Sequence, residues 1–243
     1  MKPLSNLVLV SALLLSGGSL FAVYPTDPAQ AYDEDDKLVK KANETIHKSI
    51  VALDDIMDDP ENSIPPSLIT QSEGIVIMPG TYKLAVGIAG GQGGRGVAMI
   101  RMENGNWSNP FFVSLGEGSI GIQLGVQKSE LILLFKNKDD IMGLDGADIT
   151  LGGDISVAAG PVSKGSTSTS DFRFESEIYS YCRSNGLFAG VSLKGGVLKY
   201  NQRINDSLYS RNDVSPEVIL YETGTPVNDE ADDLIVALNM YSE

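Results

Sequence analysis

Cysteine and histidine are almost missing from this sequence of 243 residues, which contains one of each. The single cysteine, Cys182, excludes an internal disulfide and any metal site built from several cysteines. The single histidine, His47, excludes a two-histidine zinc motif, and no nucleophile-elbow motif accompanies it as a serine hydrolase requires. We therefore expect neither a catalytic centre nor a bound metal, with Cys182 inside a strand and His47 on a partly exposed helix surface.

Basic residues are also scarce, because 18 lysines and arginines stand against 32 aspartates and glutamates and leave a net charge of −14. The acids are concentrated at the two ends of the chain. Residues 32–59 hold nine acids and four lysines, and residues 216–243 hold seven acids and no base. Nucleic-acid binding needs a concentrated basic face, which this charge pattern does not provide. We therefore do not expect nucleic acid as a partner.

Long apolar runs are limited to the beginning of the sequence. Lys2 precedes the run LVLVSALLL, and Ala29-Gln30-Ala31 forms an A-x-A cleavage signal, which together are typical of a secretory signal peptide. A membrane anchor is the alternative, but serine and glycine interrupt the run before it is long enough for a span. We predict a signal peptide over residues 1–31, or an earlier cut after Ala22, and one extracytoplasmic domain, periplasmic or secreted, over residues 32–243.

Helical periodicity is confined to the two ends of the mature chain. Residues 33–59 carry apolar side chains at spacings of three and four, which predicts one long amphipathic helix stopped by Pro60. The stripe consists of Leu38, Ala42, Ile46, Ile50, Leu53 and Met57. Residues 63–74 predict a short second helix with prolines in its first turn and Gly74 as its C-terminal glycine. Residues 226–243 predict an acidic closing helix. Its apolar face would consist of Ala231, Leu234, Ile235 and Leu238.

Between Gly74 and about Asn201, apolar residues alternate with small or polar ones, as in SIGIQLGV at residues 119–126, a period typical of strands. Turn residues such as ENGN and RSNG connect the runs, which indicates an antiparallel arrangement with short links. Glycine at many alternating positions leaves one face with almost no side chains, so the sheet can coil tightly. We predict an α+β fold, namely a curved, glycine-rich antiparallel β-sheet or partly closed barrel, with a long N-terminal helix and short C-terminal helices.

The stretch GIAGGQGGRG matches the dinucleotide-binding pattern G-x-G-x-x-G at Gly91, Gly93 and Gly96, and GEGSIG matches it again from Gly116. This pattern binds pyrophosphate where a helix follows, yet both matches are followed by runs with strand periodicity. The lysine and hydroxyl of a P-loop are also missing. We therefore predict a glycine-rich hairpin between two strands, and no nucleotide or other cofactor.

Paired carboxylates and large aromatic residues also have structural explanations. The carboxylate pairs do not have the spacing of an EF-hand loop, so we expect solvated acids rather than a metal or catalytic site. The pairs are Asp54-Asp55, Asp58-Asp59, Asp139-Asp140 and Asp232-Asp233. The aromatic residues are expected to pack in the core or against turns. They are Trp107, Phe111, Phe112, Phe188 and Tyr200. The polar stretch SKGSTSTSD at residues 163–171 is predicted to form a loop.

The first predicted helix allows two interpretations. Its lysines lie beside the apolar stripe, as in helices that bind at a membrane interface. The alternative is a helix that covers the sheet with its apolar face inward. Each lysine near an anionic surface contributes about 1 kcal/mol, and the neighbouring acids cancel most of that, so electrostatics alone would not hold the protein on a bilayer.

Four segments resemble the SYLF domain, also called the Ysc84 family, in sequence and in order. They are GIVIMPGTYKLAVGIAGGQGGRGV (74–97), WSNPFFVSLGEGSIGIQLGVQKSELILLF (107–135), TLGGDISVAAGP (150–161) and YSYCRSNGLFAGVSLKGG (179–196). The resemblance covers residues 35–222 and implies a lipid-binding module without catalytic activity. Eukaryotic members of the family bind phosphoinositides, in part through a basic amphipathic helix at the start of the domain, and some yeast members bind and bundle actin.

The resemblance therefore implies reversible, non-enzymatic binding of a lipid or membrane surface, with phospholipid or phosphoinositide-like head groups as ligands. By position, the first helix corresponds to the lipid-binding start of the domain. The residues expected to orient head groups are Lys37, Lys40, Lys41, Lys48 and Arg95. The alternative is a protein-interaction scaffold in the cell envelope that uses the exposed acidic ends, comparable to actin binding by eukaryotic relatives.

Overall fold

A computed structural model describes residues 28–58, 63–86, 89–120, 125–162, 174–184, 187–190, 195–221 and 226–242. The helices in these ranges are α1 (Pro28–Met57), α2 (Pro66–Gln71), α3 (Asp139–Met142), α4 (Gln202–Leu208), α5 (Pro216–Tyr221) and α6 (Asp229–Met240), with a 3₁₀ turn at Gly143–Asp145. The strands are β1 (Gly74–Val86), β2 (Ala89–Ile100), β3 (Phe111–Ile120), β4 (Gly125–Phe135), β5 (Ile149–Thr150), β6 (Val157–Ala159), β7 (Ile178–Ser184), β8 (Leu187–Gly190) and β9 (Val197–Tyr200). The predicted α+β fold is confirmed.

The strands form one sheet in the order β5-β9-β3-β2-β1-β4-β7-β6, and β8 also pairs with β7. The pairings are antiparallel except for β6 with β7, which is parallel and departs from the predicted arrangement. Only six residues lie between Gly190 at the end of β8 and Val197 at the start of β9, and the seven steps from one to the other reach about 25 Å at most. Six strand spacings lie between β8 and β9 and would measure about 29 Å in a flat sheet. The sheet therefore curls into a half-barrel, as the glycine pattern predicts.

Alternating side chains divide the core between the two faces of the sheet. One face packs against α1, α2, α4 and α6. Its buried strand residues are Ile75, Ile77, Val97, Met99, Phe112, Ile132, Leu134, Tyr179 and Tyr181. The other face packs against α3, the 3₁₀ turn and α5. Its buried strand residues are Val76, Met78, Ala98, Ile100, Phe111, Val113, Leu115, Leu131, Leu133, Phe135, Ile178 and Leu198. Both faces of the central strands are therefore covered at residues 75–78, 97–100 and 131–135, which explains the nearly continuous apolar sequences there.

Helix α1 begins at Pro28, five residues before the predicted start, and ends at Met57. Its apolar stripe packs on the sheet as the helix-on-sheet interpretation predicts. The fully buried stripe residues are Ala42, Ile46 and Leu53, while Leu38, Ile50 and Met57 are partly buried at its margins. Ile56, which the predicted stripe did not include, is also fully buried. The closing helix α6 likewise buries Ala231, Leu234 and Leu238. Both amphipathic predictions are confirmed.

One sequence prediction about glycine is wrong, and a second is right about an antiparallel hairpin of β1 and β2 but not about where the glycines lie in it. Gly74 does not end α2; it is the first residue of β1. Helix α2 ends at Gln71 and is capped by Ser72, whose backbone N–H and hydroxyl both donate to the Ile69 carbonyl. Gly91, Gly93 and Gly96 lie inside β2 rather than in a hairpin turn, paired with β1 and β3. A Cβ on Gly96 would lie 2.2 Å from the Ile77 carbonyl oxygen, so glycine is required there by close backbone approach.

Several predictions concern residues that the structure does not describe. The leader up to residue 27 and the loop at 163–171 lie outside the described ranges. The A-x-A signal at residues 29–31 falls in the first turn of α1. In the part of the chain that the structure describes, no helix has the length and apolar character needed to cross a bilayer.

Candidate functional site

The lysines of α1 project from two different flanks of the helix. At 100° per residue, Lys37, Lys41 and Lys48 fall within about 40° of one another, whereas Lys40 is rotated from them by about 60–100°. All four side chains are exposed, and Lys48 lies 3.9 Å from Glu44 on the next turn. We call the side of α1 that carries Lys37, Lys41 and Lys48 the lysine flank.

Helix α6 packs along the opposite flank of α1. The amide of Asn228, just before α6, donates to Asn43, and the hydroxyl of Tyr241, just after it, donates to Asp54. Lys40 therefore borders a groove of about 560 Å³ between α1 and α6. The groove is lined by Asp36, Val39, Lys40, Asn43, Glu44, His47 and Glu230. Among the lysines predicted to act together, Lys40 is separated from the other three.

The lysine flank faces the glycine-rich end of the sheet. The segment after α6 bonds to Thr70 and Arg101, at the end of the sheet where β2 finishes. Because α6 occupies that side of α1, the lysine flank is turned toward the end where β2 begins. Asp55, on the same flank as Lys48, confirms this direction through its ion pair with Arg183 on β7.

Arg183 links α1 to the sheet beneath the lysine flank. Its guanidinium pairs with Asp55 of α1 and lies 3.3 Å from Glu130 of β4. Burial disfavours the charged form of Arg183, but hydrogen bonds to Asp55 and Glu130 outweigh burial and raise the pKa of the guanidinium. The single positive charge of Arg183 therefore offsets one of the two negative charges of Asp55 and Glu130.

Arg95 lies on β2 and is exposed on the sheet face that α1 covers elsewhere. It pairs in register with Ser114 of β3, whose hydroxyl accepts a hydrogen bond from Asn201 at the start of α4. Val97 and Met99 point to the same face of β2 as Arg95, and both are buried under the helices there. Arg95 therefore shares one side of the molecule with the lysine flank.

Sequence reasoning missed two side chains on this face, Tyr82 and Lys128. They are directly opposite each other in β1 and β4, and Tyr82 is 52% exposed. A bulge between Met78 and Thr81 shifts the strand parity of β1, so that Tyr82 points to the α1 side. The Pro79-Gly80 dipeptide was the available signal, since proline inside a strand marks a bulge or an edge.

The remaining candidates have the structural roles predicted for them. Cys182 lies in β7, where burial raises the pKa of its thiol, and His47 is exposed beside the groove. Trp107, Phe111 and Phe112 are buried and Tyr200 is partly buried, while the side chain of Phe188 is not described. Across the described residues, no group of three or more histidine, cysteine or carboxylate side chains could hold a metal ion.

The fold and the surface define an α+β domain whose candidate site is an exposed face that carries several lysine and arginine side chains rather than a cleft. Residues 116–241 match the model of the Ysc84 family, described as "Las17-binding protein actin regulator". The chain belongs to this family, and the resemblance inferred from its motifs is confirmed.

Relatives include SH3 domain-containing proteins. The chain is 29% identical over 186 residues to SH3 domain-containing YSC84-like protein 1 of Xenopus laevis, covering 76% of this chain and 54% of that protein. It is 35% identical over 163 residues to an SH3 domain-containing protein of Schizosaccharomyces pombe, covering 65% and 36%. It is 28% identical over 159 residues to Protein YSC84 of Saccharomyces cerevisiae, covering 64% and 34%. The chain thus spans about half the length of the vertebrate relative and about a third of the yeast ones.

Proposed function

We propose that this protein binds anionic lipid surfaces through the lysine flank of α1. The observation that carries the proposal is that Lys37, Lys41 and Lys48 are exposed on one side of the helix, away from α6. The Ysc84 family membership supports the same conclusion through the lipid binding that the resemblance implies. Binding is reversible and involves no chemical reaction.

The acids of α1 oppose this binding less than their number suggests. Glu34 accepts a hydrogen bond from Arg203, and Asp35 accepts one from Ser207, so both are engaged with α4. Asp55 is paired with Arg183. Each lysine near an anionic bilayer contributes about 1 kcal/mol, and this contribution is screened as the ionic strength rises.

Vesicle flotation tests the proposal with two adjacent lysines as a matched pair. Lys41→Gln and Lys40→Gln remove the same charge from the same helix, but only Lys41 lies on the lysine flank. We expect wild-type protein to float with vesicles that contain phosphatidylserine, Lys41→Gln to bind about fivefold more weakly, and Lys40→Gln to bind nearly as wild type. Absence of flotation by the wild type, or equal losses in both variants, would defeat the proposal.

A protein-binding role is the second candidate, and the outer surface of α6 favours it. Asp229, Asp233, Val236 and Met240 project from the helix side opposite its buried face, and Val236 and Met240 are 58% and 60% exposed. The description of the Ysc84 family as an actin regulator gives a first partner to test. Sedimentation with actin filaments should be lost in Val236→Asn/Met240→Asn and retained in Lys41→Gln if α6 is the contact.

A further inference from the structure

A second exposed surface adjoins the lysine flank on the same side of the sheet. It consists of Tyr82, Gly93, Arg95, Gly116 and Lys128, which we call the open sheet face. Tyr82 is opposite Lys128 in β4 and opposite Gly93 in β2, and Gly93 is opposite Gly116 in β3. Directly opposed side chains in such a pair have Cβ atoms about 5 Å apart, and diagonal neighbours such as Tyr82 and Arg95 about 7–8 Å.

The centre of the open sheet face is uncovered. Among the described residues, a Cβ placed on Gly116 would meet no atom within 4 Å, and one placed on Gly93 would meet only the Leu115 carbonyl oxygen, at 3.5 Å. Farther along the same strands this face is buried under α1, since Val97 and Phe112 are fully covered. The glycines therefore form an exposed floor on the same sheet face that α1 covers farther along the strands.

The two cations of the open sheet face are not held by carboxylates of the described residues, in contrast to three cations that fix neighbouring elements to one another. Arg183, Lys199 and Arg203 each pair with a carboxylate. Arg95 and Lys128 have no carboxylate partner among the described residues, although the whole chain carries a net charge of −14. In so acidic a chain, two cations that lie on either side of a half-exposed tyrosine and have no carboxylate partner among the described residues are complementary to an external anionic surface.

We infer that the open sheet face is a contact site for the head groups of an anionic phospholipid bilayer, acting together with the lysine flank. The inference rests on the proposed lipid-binding function. Its occupant is a bilayer rather than a free anion because the cations are spread over an exposed surface and not gathered in a pocket. Tyr82 suits the bilayer boundary, since a tyrosine ring contacts acyl chains while its hydroxyl stays hydrated.

Charge removal on the full chain tests the inference. Arg95→Gln/Lys128→Gln should bind vesicles of phosphatidylcholine and phosphatidylserine about 25-fold more weakly than wild type at low ionic strength, since each cation contributes about fivefold. The matched control is Lys136→Gln/Lys138→Gln, which removes two positive charges just beyond the far end of β4. We expect the control to bind as wild type, because charges more than about 10 Å from the membrane are screened.

A charge added to the floor provides an independent variant. Gly116→Glu places a carboxylate in open space next to Arg95 and leaves every cation in the sequence unchanged. We expect it to weaken binding to anionic vesicles at least fivefold, while Gly116→Gln, its uncharged match, keeps wild-type affinity. Thermal unfolding of each variant reports whether the fold is intact.

The outcomes separate this inference from the proposed function. If wild type does not bind vesicles, both fall. If wild type binds vesicles and both Arg95→Gln/Lys128→Gln and Gly116→Glu bind them as well as wild type does, only the role of the open sheet face is refuted. Displacement from vesicles by inorganic phosphate, but not by chloride at the same ionic strength, would assign the surface to a free anion and overturn the inference. If these variants lost self-association of the protein but kept wild-type vesicle binding, the open sheet face would be a contact with a second copy of the chain. That result would also overturn the inference.

Discussion

The guanidinium carbon of Arg101 lies 4.3 Å from the centre of the Trp107 ring. Arg101 directly follows β2 and has a half-buried side chain, and burial lowers the pKa of its guanidinium. Its N–H groups donate to the carbonyl oxygens of Ile69, Ser72 and Gly105. One cation thus joins the end of α2, the turn after β2 and the buried tryptophan.

Replacement of Arg101 should therefore destabilise the fold. We expect Arg101→Ala to lower the free energy of unfolding by about 3 kcal/mol, because charged hydrogen bonds to carbonyls and the contact with the Trp107 ring are lost together. Arg101→Lys keeps the charge but not the planar guanidinium with its several N–H donors, so the free energy of unfolding should still fall by about 2 kcal/mol. Urea unfolding measures both values.

The control for this prediction is Arg203→Ala, which removes an exposed pair with Glu34. Exposed pairs of this kind contribute less than about 1 kcal/mol. If Arg101→Ala lowered the free energy of unfolding no more than Arg203→Ala does, the contact with Trp107 would have no special role.

Two glycines of neighbouring strands should respond in opposite ways to the same substitution. The Cβ of Gly96→Ala would meet the Ile77 carbonyl oxygen at 2.2 Å and the Met78 sulfur at 2.7 Å. The two backbones must then separate, at a cost of about 3 kcal/mol. Gly116→Ala meets no atom within 4 Å and should stabilise by about 0.5 kcal/mol, since alanine restricts the unfolded chain. Similar urea midpoints for both variants would contradict the close approach of β1 and β2.

Burial of amphipathic helices could be predicted from sequence because their spacing is regular, whereas the strand boundaries could not. The run SIGIQLGV alternates without a break, yet Ile120 ends β3 and Gly125 begins β4. Alternation alone does not reveal a chain reversal that lacks strong turn residues. In β1 the reverse occurs: Pro79-Gly80 suggests a break, but the strand continues through a bulge. The open sheet face was missed because that bulge changes which residues share a side with α1.

Tyr241 should make stability fall in alkaline solution. Its hydroxyl donates to Asp54 at 2.9 Å, and burial together with that bond raises the pKa of Tyr241 from 10.0 to about 12. The unfolded state loses this proton near pH 10 and the folded state near pH 12. Below pH 10 the stabilising contribution is complete, and it disappears as the pH rises through 12.

The variant Tyr241→Phe isolates this contribution, because phenylalanine cannot ionise. Tyr181 and Tyr200, whose pKa values are also raised by burial, remain in both proteins. We expect the difference in free energy of unfolding between wild type and Tyr241→Phe to be constant up to pH 10 and to fall between pH 10 and 12. A difference independent of pH over that interval would mean that Tyr241 does not hold its proton more tightly when folded.

Removal of the leader should leave the domain intact. Cleavage after Ala31 deletes the first four residues of α1, whereas the bonds from Glu34 to Arg203 and from Asp35 to Ser207 lie beyond the cut and still fix the helix to α4. We expect the intact mass of protein recovered from its host to begin at Tyr32, and residues 32–243 to unfold at the same temperature as the full chain. A mass beginning at Val23 would place the cut after Ala22 instead. An uncleaved chain would refute export through a removable signal peptide, since such a peptide is removed in the mature protein.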